Sequence, residues 1–272
     1  MNNEVNIGST MTSEDSVLYE QVGEHIAVVT LNRPQARNAI NPEVAQALHR
    51  IREQIDADER IRVAILTGSG TGVFCAGADL KAVTTGRAGA SGLSTEGGGF
   101  AGFVKARRAK PWIAAVRGKA YGGGFELVLA CDLAVAGQSA QFALPEAKIG
   151  VLAAAGGAFR IAQLLPRALA NEILVTGNAI SAGRAYDLGL LNRVVDDEEV
   201  LAEALRLAAD IVKNAPLSVK ASLDIVRAAA SPGEDAMWQI NDEWAQRIVH
   251  SEDAKEGPRA FLEKRAPRWA GR

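Results

Sequence analysis

The sequence predicts an α/β fold, on three observations. Continuous apolar runs of strand length occupy residues 63–67, 112–116 and 133–136, as expected for strands covered on both faces. The first two runs each lead into a glycine-rich loop. Each loop is followed by a stretch of helical character, and that alternation of strand, loop and helix is the α/β pattern. The spacing is not that of a dinucleotide fold. Gly122-Gly123-Gly124 lacks the G-x-G-x-x-G arrangement and the acidic residue about 20 positions on.

Along the chain, residues 1–15 are polar and predict a disordered tail. Residues 17–22 and 26–31 predict a hairpin turned at Gly23-Glu24. Asn41-Pro42 is a helix start, with Asn as the cap and Pro at the first position; Val44, Leu48, Ile51 and Ile55 follow at helical spacing. The stretch 84–102 is rich in Gly, Ser, Thr and Ala and predicts a long flexible loop, a mobile lid over a site. From about residue 197 the pattern is helical. Val200, Ala204, Leu207, Ala208 and Ile211 mark one helix face, Pro216 opens a second helix, and two more cover about 234–249 and 252–263. The organisation is thus a tail (1–15), an α/β core (16–196) and a helical region (197–272). The apolar faces of that last region need cover from the core or from a second subunit.

Composition narrows the function. Apolar residues make up 48% of the 272 and aromatics 5%, so the core is built mainly of Ala, Val, Leu and Ile. The net charge of −2 provides no basic field for nucleic acid. Lys105, Arg107, Arg108 and Lys110 do cluster, either as a solvated helix face or as a seat for a phosphorylated ligand. No apolar stretch is long enough to span a membrane and no targeting pattern opens the chain, which predicts a cytoplasmic location. Cys75 and Cys131 form no disulfide framework and fit a reducing compartment. His25, His49 and His250 have no partner pattern, and no Cys/His/Asp spacing suits a metal.

The chemistry-bearing residues are two glutamates twenty positions apart. Glu126 closes Tyr121-Gly122-Gly123-Gly124-Phe125-Glu126, and Glu146 closes Phe142-Ala143-Leu144-Pro145-Glu146. Three glycines at a helix start leave backbone N–H groups bare, and the Gly123 amide is placed to stabilise a negative oxygen. A second donor is the Ala78 amide, in the turn Ala76-Gly77-Ala78-Asp79. Glu126 lies on nearly the same helical face as Gly123, and its apolar neighbours Phe125, Leu127 and Val128 predict poor solvation. Burial and a nearby second carboxylate both raise a carboxyl pKa. The competing readings are that Glu126 is a surface acid, that Glu146 answers a helix dipole, and that the glycines only permit a tight turn. Asp79 reads as a helix cap for Leu80 and Lys81, with its backbone lining the site.

These segments together resemble the enoyl-CoA hydratase/isomerase, or crotonase, family. The resemblance runs from about residue 17 to the C-terminus through FCAGADLK, KPWIAAVRGKAYGGGFELVLACDLAVA, FALPEAKIGV and AAAGG. GGGFELVLACD, FALPEAKIG and the C-terminal HSEDAKEGPRAFLEKRAPRWAGR look nearest to its carnitinyl-CoA dehydratase branch. The resemblance implies a spiral of ββα turns with a helical C-terminal oligomerisation region, assembled as a homotrimer or a dimer of trimers. It implies an acyl-CoA thioester substrate and no metal or redox cofactor, coenzyme A being part of the substrate. Ala78 and Gly123 match the oxyanion-hole positions, and Glu126 and Glu146 the catalytic acids of hydratases. Gly122 accompanies Gly123. Ala76, Ala78, Asp79, Leu80 and Lys81 match the loop that holds the CoA arm; Arg37 lies near a second CoA-contacting stretch. Lys264 matches a residue that reaches CoA phosphate from a neighbouring subunit. The expected reaction is reversible syn hydration of a 2-enoyl-CoA. The alternatives are double-bond isomerisation or another reaction of the family, and non-catalytic acyl-CoA binding. Residues 151–155, Val-Leu-Ala-Ala-Ala, depart from the Pro-containing turn usual in hydratases and alter the wall near Glu146.

Overall fold

The computed structural model describes residues 16–84, 90–230 and 234–268, so the predicted tail lies outside the described residues. The described residues form twelve strands: β1 (Val17–Val22), β2 (Ile26–Leu31), β3 (Val63–Gly68), β4 (Val73–Cys75), β5 (Ser94–Thr95), β6 (Gly99–Phe100), β7 (Trp112–Val116), β8 (Lys119–Tyr121), β9 (Leu133–Gly137), β10 (Gln141–Ala143), β11 (Ile180–Ser181) and β12 (Arg193–Val195). The helices are α1 (Pro42–Ala57), α2 (Leu80–Thr84), α3 (Gly123–Ala130), α4 (Gly157–Leu164), α5 (Arg167–Thr176), α6 (Ala182–Asp187), α7 (Val200–Val212), α8 (Pro216–Ala230), α9 (Glu234–Val249) and α10 (Glu252–Leu262).

The three apolar runs become β3, β7 and β9, adjacent and parallel at the centre of a six-stranded sheet ordered β1-β2-β3-β7-β9-β12. Only the β1–β2 hairpin is antiparallel there. The central strands alternate their burial between two layers. Ala64, Leu66, Trp112, Ala114 and Val116 face the core under α1, while Val63, Ile65, Ile113 and Ala115 face α7. Both faces are therefore dry, which is why these strands read as unbroken apolar runs. Asn41 caps α1 through its side chain, which accepts from the Val44 N–H (2.9 Å), and Val44, Leu48 and Ile55 are buried. Burying each such side chain stabilises by roughly 1.5–3 kcal/mol.

After each central strand the chain turns into a short strand of a second sheet, ordered β11-β10-β8-β4. β4, β8 and β10 are parallel, with Cys75 opposite Ala120 and Ala120 opposite Phe142. Each is followed by a turn or helix, giving repeated ββα turns of a spiral. The three loops that leave this sheet, at 76–79, 122–124 and 144–146, therefore emerge side by side at one edge. Twenty residues between the glutamates is one turn of the spiral.

The helical end behaves differently from one helix to the next. α7 buries Val200, Ala204 and Ala208 against the main sheet and so is part of that core. α8 is docked by Arg227, which donates to Asp132 Oδ1 from Nε (3.0 Å) and Nη2 (2.7 Å) and to the Arg108 carbonyl (2.7 Å). Other α8 side chains stand in the open, with Leu217, Ile225 and Val226 all well exposed. Among the described residues no helix is long and apolar enough to cross a membrane.

Two sequence expectations are corrected. Residues 90–102 are not an irregular loop: they form a 3-10 turn and the β5–β6 hairpin, while 85–89 lie outside the described residues. The hairpin is pinned to α1, with Thr95 Oγ1 2.8 Å from His49 Nδ1 and Arg52 Nε donating to the Gly102 carbonyl (3.2 Å). Gly and Ala residues that suggested flexibility instead supply positive φ at Gly99, Ala101 and Gly102. Nor is the basic cluster at 105–110 a solvated helix face. Arg108 is buried and donates to the carbonyls of Phe103, Ala106 and Ala130, and Lys110 Nζ donates to those of Ile55 and Asp58. Those two cations are engaged in tying loops together.

Candidate active site

Three loops build the site. The first runs from Cys75 into α2. Ile40 and Ala78 form an isolated parallel bridge: the Ile40 N–H donates to the Gly77 carbonyl (2.8 Å) and the Asp79 N–H to the Ile40 carbonyl (2.9 Å). Asp79 does what its sequence context predicts: its carboxylate accepts from the Ala82 N–H (3.4 Å) at the start of α2 and from Arg33 Nη1 (3.1 Å). The Ala76 N–H donates to the Arg37 carbonyl (3.1 Å), so Arg37, Ala76, Ala78, Leu80 and Lys81 belong to one surface. The Arg37, Leu80 and Lys81 side chains are exposed. Lys264 lies on a separate element, just past α10, at φ 53°.

The second loop is Tyr121–Gly124. The Gly122 N–H donates to the Ala143 carbonyl (2.9 Å), continuing the β8–β10 pairing by one residue. Gly122 sits at φ 55° and ψ −127°, a backbone conformation that L side chains rarely adopt. It turns the chain so that Gly123 opens α3. Gly124 is required by space, since a Cβ there would lie 2.1 Å from the Cys75 carbonyl oxygen. A Cβ on Gly77 would lie 2.9 Å from the Gly123 nitrogen. The first loop thus lies directly against the second. Among the described residues neither the Ala78 N–H nor the Gly123 N–H donates to a backbone carbonyl.

The third loop carries Glu146, first residue of a 3-10 turn over Glu146–Ile149. Its Oε1 lies 3.2 Å from where a Gly122 Cβ would be, so it stands beside the glycine turn. Its Oε2 is enclosed and, among the described residues, has no hydrogen-bond partner. Burial holds the Glu146 carboxyl above the usual range. Glu126, 3% exposed on α3, accepts at Oε1 from the Gly157 N–H (2.8 Å). Burial first, and then the negative charge of Glu146, push its carboxyl well up; the Gly157 amide and the Arg160 guanidinium oppose that without cancelling it. The surface reading of Glu126 is thereby excluded. Two buried carboxyls that resist sharing two negative charges make one proton acceptor and one proton donor near neutrality.

Several neighbours had no role in the sequence reading. Gly157 begins α4 and gives Glu126 its donor. Phe100 places its ring edge on Gly123. Arg160 donates to the carbonyls of Val104 (2.7 Å) and Ala155 (3.3 Å) and lies over the rings of Phe159 and Trp238. The Gly156-Gly157 pair was the one available signal, as another glycine-opened helix. Phe100 and Trp238 come from segments whose sequence says nothing of where they dock. Cys75 is buried and Cys131 half-buried, and desolvation pushes both thiols up to about 12, which does not suit a nucleophile.

The enoyl-CoA hydratase/isomerase family profile matches residues 21–272. The chain belongs to that family. It aligns with relatives along nearly its whole length. It is 44% identical over 252 residues to the carnitinyl-CoA dehydratase of Salmonella typhi, covering 91% of this chain and 95% of that one. The carnitinyl-CoA hydratase structure from Mycobacterium avium matches with a TM-score of 0.88 and 42% identity, covering 95% of this chain and 100% of the other. An enoyl-CoA hydratase structure from Mycobacterium tuberculosis matches at 0.76 and 41% identity, with the same coverage. The ββα spiral described above is the crotonase fold of these hydratases.

Proposed function

We propose that the protein is a hydro-lyase that adds water reversibly, in syn fashion, to a 2-enoyl-CoA thioester, giving the 3-hydroxyacyl-CoA. The observation that carries this reading is the placement of two carboxyls at the Gly122–Gly123 turn, Glu126 buried on α3 and Glu146 with its Oε2 enclosed beside Gly122. A hydratase must deliver hydroxide to C3 and a proton to C2 from one water, so it needs an acceptor and a donor together. The thioester oxygen takes the Ala78 and Gly123 amides as the enolate forms, and each such donor is worth about 10²–10³ in rate. Glu146, with its enclosed unpartnered oxygen, exchanges protons with the water and C2. Glu126, oriented by Gly157, holds the same water.

The surface of Arg37, Ala76, Asp79, Leu80 and Lys81 is the seat we assign to the CoA arm, with Lys264 supplied by a neighbouring copy. The reaction as written needs no metal or redox cofactor, because the two acids and the two amides supply every proton and charge. The exposed apolar side chains of α8, with Phe261 and Leu262 near the end of α10, favour self-association as a homotrimer or a dimer of trimers; light scattering tests that. The absence of any long apolar helix among the described residues fits a cytoplasmic enzyme.

The relatives' names favour a betaine-bearing or a simple enoyl acyl group. The experiment is turnover of crotonyl-CoA and crotonobetainyl-CoA, with product mass, by the wild type and Glu146→Gln. Gain of one water that vanishes in the variant supports the reading. An isomerised product of unchanged mass, or full activity in Glu146→Gln, overturns it.

A further inference from the structure

We propose that Phe100 is a specificity-determining wall of the acyl slot, selecting thioesters that are unbranched at C2. The inference rests on the reading above that the Gly123 amide receives the thioester oxygen.

A Cβ built on Gly123 would lie 2.5 Å from both Cε1 and Cζ of Phe100. The ring edge therefore lies in contact with the Gly123 backbone, on the residue that donates the hydrogen bond. A thioester oxygen bound to that amide sits about 3 Å from its nitrogen. The thioester carbon and C2 are one and two bonds further on, so they fall within reach of the ring. On the preceding residue, the Cβ direction of Gly122 points to Glu146 Oε1 at 3.2 Å. Two successive glycines thus face two different walls, one a carboxyl and the other an aromatic edge. Two atoms lie two bonds from the thioester oxygen, the sulfur and C2, and we place C2, the carbon that gains the proton, between these walls.

The backbone that carries this ring is held in place. The Ala101 N–H donates to the Leu93 carbonyl (2.8 Å), the Gly102 N–H to Gly99 (2.9 Å) and the Lys105 N–H to Gly98 (2.9 Å). His49 and Arg52 tie the same turn to α1. Ala101 is fully buried and held at φ 57°, an uncommon conformation for a residue with a side chain. Local strain of this kind persists where surrounding structure over-determines it, and here its effect is to present Phe100 to Gly123. A methyl branch on C2 would have to displace this ring or tilt the carbonyl off the Gly123 amide. The pinned turn fixes where the ring is attached, so it can give way only by leaving its rotamer, a cost that disfavours the branched substrate.

The test uses the full chain with Phe100→Ala and Phe100→Leu, each first checked by thermal melting. Turnover compares crotonyl-CoA with its 2-methyl analogue. Calorimetric binding compares butyryl-CoA with isobutyryl-CoA, which reads the wall without any chemistry. The wild type should prefer the unbranched member of each pair by about tenfold or more, the discrimination one methyl group can supply. Phe100→Ala should erase most of that ratio, with Phe100→Leu between. Equal handling of branched and straight thioesters by the wild type would overturn the inference, as would a Phe100→Ala enzyme that weakens both in proportion. Failure of crotonyl-CoA turnover with the binding ratio intact would instead count against the hydratase reading alone.

Discussion

The Gly157 amide donates to Glu126 Oε1 across 2.8 Å, joining the start of α4 to the middle of α3. This bond fixes the carboxyl that must hold the water. Space at Gly157 is as restricted as its hydrogen bonding: a Cβ there would lie 2.9 Å from Glu126 Cγ and Oε1 and 3.1 Å from Ala153 Cβ. Gly157→Ala therefore pushes the carboxyl rather than the backbone. The expected result is a fall in kcat of about 10–10², because small misplacements of positioned groups are costly. KM and the melting temperature should move little. Steady-state kinetics beside a thermal melt distinguishes this from general damage, which would lower the melting temperature as well.

The carboxyl pair sets a pH profile. Both acids are held above the ordinary range, by burial in each case, and Glu126 also by the charge of Glu146. The rate should follow a bell whose limbs belong to the pair and not to either residue. In Glu146→Gln the like charge is gone, so the remaining limb, that of Glu126, should shift to lower pH as kcat falls by about 10²–10⁴. A kcat/KM profile of the wild type and this variant checks both statements. An unmoved limb in Glu146→Gln would mean the two carboxyls do not sense each other.

The same raised pKa values make a stability statement. A carboxyl whose folded pKa exceeds its unfolded value of about 4.3 binds its proton more tightly when folded. Its contribution is most favourable below that value and is lost as pH rises through the folded pKa. Wild type should therefore lose stability between about pH 4.5 and alkaline pH relative to Glu126→Gln, which carries no charge there. At about 1.4 kcal/mol per pKa unit, the variant should be more stable by about 1–4 kcal/mol at pH 8.5 and nearly equal at pH 4.5. Urea melts at the two pH values give the comparison.

How far the sequence led is clearest at the site loops. The placement of Glu126, Glu146, Gly123 and Ala78 on adjoining loops was legible because each sits in a short motif whose local chemistry is visible: glycines before a helix, an acid among apolar neighbours. The central strands were legible because both faces are dry. The second sheet was not. Its strands are three residues or fewer, too short to show a period, and they exist because β4, β8 and β10 pair with one another rather than because of any propensity. The turn at 97–102 misled for a related reason. Glycine reads as flexibility in a sequence, yet the same residues at positive φ build a rigid turn once His49 and Arg52 hold it. Arg108 also read as surface, because nothing in its sequence context announces that it turns inward to the carbonyls of Phe103, Ala106 and the more distant Ala130.

The last prediction concerns how the helical end is held. Asp132 serves two masters: Oδ1 takes two donors from Arg227 on α8, and Oδ2 takes the Trp112 N–H at the start of β7 (2.9 Å). Trp112 is fully buried, so losing Asp132 strands a buried donor as well as the Arg227 cation. Losing Arg227 instead leaves a carboxylate that still accepts from Trp112. Removing Asp132 should therefore cost more, about 2–4 kcal/mol for Asp132→Ala against about 1–2 kcal/mol for Arg227→Met. The double variant should cost less than the sum, because the pair is then lost once and not twice. Urea unfolding of the two single variants and the double closes the cycle. An Arg227→Met variant less stable than Asp132→Ala would show that α8 docking, and not the Trp112 amide, is the larger role of this contact.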